Sequence, residues 1–204
     1  MLSVKRLAML VGLVVLVLAP AGAASAAPST QDTQYLQAIH QANLVEVSAG
    51  KMAQQKGVNQ RVKDLGGQFV TDHTELDESV QETASEVGVT LPDKPTNDQQ
   101  AVLNHLKGLN GTAFDTQWVS MELIAHTRSI DATETEVAQG SDPAVVQVAQ
   151  NALPVLQEHY RELVSLAEAL GVPVPEEGGA PSPGSSSGRP SPAISSGSPS
   201  PGRS

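Results

Sequence analysis

Five side chains of this 204-residue chain are candidates for metal chemistry: Glu46, His73, Glu122, His126 and His159. His73 lies in the run Phe69-Val70-Thr71-Asp72-His73-Thr74-Glu75-Leu76, where Phe69, His73, Leu76 and Val80 recur at steps of four, three and four. That is the spacing of the buried stripe of a helix, so an imidazole is aimed at a core. Imidazole nitrogens and carboxylate oxygens gathered at one level are the material of a site for one divalent ion such as iron, manganese, zinc or copper. A standard di-iron carboxylate centre needs Glu-x-x-His on two helices, but Val70 and Leu156 stand three residues before His73 and His159. What remains is a histidine-rich mononuclear site. The plain alternative is a buried polar layer in which the two glutamates accept hydrogen bonds from the histidines and set helix register.

For these five groups to meet, four rods must bring them to a common level. Helix A is predicted over Asp32 to Lys56, with Leu36, Ile39, Asn43, Glu46, Gly50 and Ala53 on one stripe, and Gly57 ends it. Helix B follows an Asn59 cap and runs to about Val87 through Val62, Leu65, Phe69, His73, Leu76, Val80 and Ala84. Residues 88–111 form a longer connection with a short helix over Asp98 to Lys107. Thr112, with Asp115 three residues on, predicts a capping box that starts helix C, which extends to about Ala138. Gly140 closes it, Asp142 caps helix D, Pro143 occupies the first turn, and Gly171 terminates the run. Pro154 inside helix D predicts a kink. Short, long and short links make two antiparallel hairpins joined by one long crossover: an all-α, ferritin-like four-helix bundle.

The midpoints of these helices fall near residues 44, 73, 125 and 156. At about 1.5 Å per residue, all five candidate ligands then lie within roughly 6 Å of one level, whichever way each helix runs. Glu122 and His126, four apart, face inward together. His40 is six residues before Glu46 and is turned away, so solvent is predicted for it and for His105 in the connection. Asp72 and Glu75 flank His73 either as acceptors that orient it or as solvated groups. Trp118 and Phe114 read as packing. No nucleophile with a base, no phosphate-binding loop and no basic stripe is present, which sets an enzymatic reading behind a binding one.

The ends carry their own messages. Lys5 and Arg6, the uncharged run Leu7 to Leu18 and the small-residue site Ala24-Ser25-Ala26 predict a signal peptide over residues 1–26, with Ala27 the first mature residue. An exported protein secreted outside the cell or held in its envelope is expected, with no stable membrane anchor after cleavage. There is no cysteine, which excludes disulfides, thiolate sites and a lipidated cysteine. The net charge of −10, or −12 once Lys5 and Arg6 leave, repels phosphate backbones and excludes nucleic acid as a partner. From about Pro173 the chain is Pro, Ser and Gly with Ile194 its lone large apolar residue, a composition that predicts a disordered tail over 173–204.

Several runs resemble a known bacterial family. They are Gly50-Lys51-Met52-Ala53, Val62 to Phe69 leading into Asp72-His73, Gly111-Thr112-Ala113-Phe114-Asp115, the Glu122 to His126 pair, and Ala152-Leu153-Pro154-Val155-Leu156 leading to His159. Over residues 31–171 the chain resembles the family catalogued as domain of unknown function 4142. The resemblance implies a secreted or periplasmic ferritin-like bundle with Glu46, His73, Glu122, His126 and His159 as its motif positions; it implies no settled activity. Three readings follow: an exported bundle that binds metal through the central layer, a metal-dependent oxidase or peroxide-protective enzyme built on the same residues, and a structural module whose tail reaches a cell-wall or envelope partner.

Overall fold

The structure, a computed structural model, describes residues 27–175; the predicted signal peptide and the tail from residue 176 lie outside the described residues. Helix α1 spans Thr30–Lys56 and is opened by Ser29, whose Oγ accepts from the Asp32 N–H at 3.1 Å while Asp32 accepts from the Ser29 N–H at 2.7 Å. Helix α2 spans Gln60–Val87, with Asn59 accepting from the Arg61 N–H at 2.9 Å, and stops at Gly88, whose φ of 76° is one that glycine adopts without strain. Helix α3 spans Asn97–Gly108, α4 spans Gly111–Gln139, and α5 spans Pro143–Leu170 behind an Asp142 cap. The predicted boundaries therefore stand within two residues. No helix among the described residues is long and apolar enough to cross a membrane.

The start of α4 differs in its chemistry. Its N-cap is Asn110, with no side-chain capping bond, and Thr112 already lies inside the helix. Asp115 turns away to the α1–α2 loop, where it accepts from the N–H groups of Val58 at 3.1 Å and Asn59 at 2.8 Å. Two otherwise orphaned donors outcompete a local cap for one buried carboxylate.

The four long helices pack pairwise, α1 most extensively on α2 and α4 on α5, with α1 also against α4 and α2 against α5. Asn43 faces His73 and His40 faces Asp77, so α1 and α2 are antiparallel. Tyr35 faces Thr133 and Gln31 faces Glu136 at one end, while Lys56 reaches Asn110 at the other, which makes α1 antiparallel to α4 as well. Backbones of α1 and α2 touch at Gly50 and Gly66: a Cβ on Gly50 would stand 2.5 Å from the Gly66 carbonyl oxygen. The short α3 lies against α1 and α4.

Two apolar clusters form the core. One gathers Phe69, Leu106, Phe114, Trp118, Leu123 and Leu163; the other gathers Tyr35, Leu36, Ile39, Val80, Val145 and Ala149. Between them lie His73, His126 and His159, while Glu46 and Glu122 sit beside Val45 and Leu123 at the edge of the first cluster. Val172 is buried and Val174 packs against the first cluster, so the bundle continues slightly beyond the predicted boundary. His40 corrects its expectation of solvent exposure: it is 7% exposed, with Nδ1 2.7 Å from Asp77 Oδ1 and Nε2 3.1 Å from the Pro92 carbonyl oxygen. A helix flanked by neighbours on two sides buries a wider arc than one stripe, and the segment after α2 passes over the remainder.

Candidate metal centre

All five candidate ligands are buried, none exposed by more than 2%. The three imidazoles form a triangle with ring centroids 5.3 to 5.5 Å apart. Phe69 closes one side, its ring 4.5 Å from His159 and 4.8 Å from His126, with Trp118 behind it. One nitrogen from each histidine lies within 4.8 Å of the other two.

The hydrogen bonds decide which nitrogen that is. His73 Nδ1–H donates to Asn43 Oδ1 at 2.9 Å, leaving Nε2 without a partner. His126 Nδ1 stands 3.0 Å from the Glu122 backbone carbonyl, which can only accept, so Nδ1 carries the proton and Nε2 the lone pair. His159 Nε2 stands 2.8 Å from the Asp72 carboxylate, so Nε2–H donates there and Nδ1 keeps its lone pair. The remaining contact, His126 Nε2 to His159 Nδ1 at 3.4 Å, therefore sets lone pair against lone pair. Burial, then the neighbouring His159, pushes His126 down to about 3, and burial with both neighbouring imidazoles holds His73 well below the ordinary histidine range. His126 therefore does not gain the extra proton that would let its Nε2 donate across the contact.

The second group is Glu46, Glu122 and His126, whose ligand atoms also lie within 4.8 Å of one another. Glu46 Oε2 and both Glu122 carboxylate oxygens lack conventional hydrogen-bond partners. Burial raises Glu46 to about 7, partly opposed by its carboxyl contact with Glu122; burial and then the charge of Glu46 hold Glu122 well above the carboxylate range. Two facing carboxyls in a dry interior thus carry at most one negative charge near neutral pH. Glu122 Oε2 approaches His126 at Nδ1, 3.8 Å away, the nitrogen already spent on the Glu122 carbonyl, so Nδ1 offers no lone pair to an ion between the two carboxyls.

The sequence named the five residues but missed two that position them. Asn43 lies on the buried stripe of helix A, and an amide there, one turn before Glu46, is the signal for its role. Asp72, expected to orient His73 or to be solvated, crosses from α2 to α5 and accepts from His159, while Glu75 is exposed. Val70 and Leu156 keep the positions where a di-iron site would need carboxylates.

A DUF305 fragment from Deinococcus radiodurans resembles the structure with a TM-score of 0.62 at 13% identity, covering 72% of this chain and 99% of its own. A DUF305 protein from Streptomyces coelicolor does so with a TM-score of 0.60 at 11% identity, covering 70% of this chain and 93% of its own. Identities this low speak for a shared helical fold alone. No curated protein is significantly similar to the chain. Residues 17–177, most of the sequence, match the family described as Domain of unknown function (DUF4142), and the protein belongs to that family.

Proposed function

We propose that the protein is an exported, ferritin-like bundle that holds one divalent transition-metal ion at His73 Nε2, His126 Nε2 and His159 Nδ1, with Glu122 and Glu46 as adjoining carboxylates. The observation that carries this reading is the convergence of three imidazole lone pairs, each turned inward because the ring's other nitrogen is anchored to an acceptor. Metal-ligating histidines are oriented in this way, by an amide, carbonyl or carboxylate on the far nitrogen. For one pair of nitrogens the spacing fits as well. Metal–nitrogen bonds of about 2.0–2.1 Å in a tetrahedron separate ligand atoms by roughly 3.3–3.4 Å, against 3.4 Å for His126 Nε2 and His159 Nδ1. Three imidazoles with a neighbouring carboxyl suit zinc, copper, iron or manganese.

The ferritin-like topology is supported by the pairings of α1, antiparallel to both α2 and α4. Those two helices then run the same way, and residues 88–110 must travel the length of the bundle as its single crossover. Export is supported by the predicted signal peptide and by the Streptomyces neighbour, described as a candidate secreted protein.

The test is elemental analysis of the mature chain after chelation and dialysis against Zn(II), Co(II), Mn(II) or Cu(II). One ion per wild-type chain is expected, with none in His73→Ala and His159→Ala variants of unchanged helical content; a wild type that retains no ion above buffer level overturns the reading. Turnover of dioxygen or peroxide by the loaded chain is the result that would make the site an enzyme's. A second reading, a purely structural polar layer, draws on Phe69, which packs its ring against all three imidazoles.

A further inference from the structure

The segment between α2 and α3 is tied to one face of α1 through its backbone carbonyls. Gln37 donates to the Thr90 carbonyl at 2.9 Å and Gln41 to the Lys94 carbonyl at 2.8 Å; between them, His40 Nε2 stands 3.1 Å from the Pro92 carbonyl oxygen. Held in this way, the segment packs Val89 and Leu91 against the second apolar cluster. Both glutamine bonds are open to water, which competes for donor and acceptor alike, whereas His40 is buried beneath the segment it holds. Of the three ties, the imidazole decides how firmly this strap is closed.

The ring of His40 has an acceptor at each nitrogen. Nδ1 is 2.7 Å from Asp77 Oδ1, and Asp77 Oδ2 accepts from Gln81 Nε2 at 2.6 Å, which fixes the carboxylate in place. Neither a carboxylate nor a carbonyl donates, so both contacts are hydrogen bonds only while the ring carries two N–H groups. A neutral ring has one proton for two acceptors. That proton stays with Asp77, because a hydrogen bond to a charged acceptor is about twice as strong as one to a neutral acceptor. Nε2 then turns a lone pair on the Pro92 oxygen, and the contact that held the strap repels it. Among the described residues Asp77 is the only carboxylate paired with the ring; the strap presents the Pro92 carbonyl, and the neighbouring Asp93 and Lys94 are exposed.

We infer that His40 is a proton-operated latch: the doubly protonated ring pins Pro92 to α1 and α2, and loss of one proton releases residues 89–92 from the edge of the second apolar cluster. The bond to Pro92 is present at the acid end and lost as pH rises through the range in which imidazoles discharge, about pH 5–8. Apolar surface at Val89 and Leu91 is therefore covered in acid and uncovered toward alkaline pH. The latch does not depend on metal in the imidazole triangle.

The chain has no cysteine, so single thiols report on the strap without interference. Leu91→Cys reads the side packed on the cluster, and Thr90→Cys, at an exposed neighbouring position, supplies the reference that cancels the thiol's own pH dependence. The mature chain is labelled with a methanethiosulfonate, and the protection of the first thiol relative to the second is followed with pH. We expect that protection to fall about tenfold between about pH 5 and about pH 8, at constant helical circular dichroism. In an Asp77→Asn background the amide donates to Nδ1 and a neutral ring keeps its proton on Nε2 toward Pro92, so protection should stay high across the whole range. His40→Leu, with no ring to reach Pro92, should give low protection at every pH. A ratio in the otherwise wild-type chain that does not change with pH, or one that falls equally in Asp77→Asn, overturns the inference. So does a fall that is accompanied by loss of helix, which would be unfolding of the bundle rather than release of the strap.

Discussion

Replacing Asn43 and His73 together by leucine should make the metal-free protein more stable, and this is the sharpest test of what the central layer is for. The pair holds one hydrogen bond of 2.9 Å but leaves two buried atoms, Asn43 Nδ2 and His73 Nε2, without partners. Each unpaired buried group costs roughly 1–3 kcal/mol, whereas the bond itself contributes roughly 0.5–1.5 kcal/mol net. Repacking two side chains of similar size costs less than about 1.5 kcal/mol each. The balance is a gain of about 1–3 kcal/mol, or roughly 3–10 °C in Tm for a chain of this size. Metal reverses the order: at about a thousandfold excess over Kd a bound ion stabilises the wild type by about 4 kcal/mol, and the leucine variant has lost a ligand. Calorimetric melts of both proteins, chelated and zinc-loaded, read all four states. A chelated double variant that melts more than about 4 °C below the wild type would refute the reasoning, because the layer would then be a net stabiliser by itself.

Other consequences are open to direct measurement. Asp72→Asn keeps the shape but weakens the acceptor for His159 Nε2–H, so metal affinity should fall about 10–100-fold with helical content unchanged; equal affinity would show that Asp72 is incidental. Gly66→Ala would place a Cβ 2.5 Å from Ala53 Cβ and 2.9 Å from the Gly50 carbonyl oxygen. It should destabilise by about 1–3 kcal/mol despite alanine's better helix propensity, and urea unfolding checks the sign. The pH profile of the metal-free protein should carry two opposed limbs. Burial alone would raise Asp32, but hydrogen bonds from Ser141 and Ser29 more than offset it and hold the carboxyl well below its usual range. Its stabilisation is therefore present above the unfolded pKa, about 3.9, and is lost as pH falls through the folded value. Glu136 is pushed up to about 7, by burial first, so its stabilisation is present below the unfolded pKa, about 4.3, and is lost as pH rises toward 7. Glu136→Gln should remove part of whatever Tm the wild type loses between about pH 5 and about pH 8; an unchanged slope over that range counts against the assignment.

Much of the fold was legible because helix ends are local events. Asn59 and Asp142 accept from N–H groups two residues ahead, and Gly57, Gly88, Gly140 and Gly171 end helices where the sequence placed them. The level of the Glu/His layer was legible for a similar reason: rise per residue is constant, so distance from a helix midpoint converts directly into height. Thr112 and Asp115 mark the limit of local reading. The motif was present, but donors more than fifty residues away in sequence claimed the carboxylate.

Height along a helix is thus written in the chain, while rotation about its axis and the partner across the gap are not. By itself the sequence determined that four rods would carry histidines and glutamates to one buried level. Only tertiary packing decided that His159 is held by Asp72 rather than by its own helix, that His40 is enclosed, and that three imidazoles bring one nitrogen each within 4.8 Å of the others. Each depends on which faces meet, a sum of many small packing and desolvation terms spread over all the helices, and no window of sequence contains that sum.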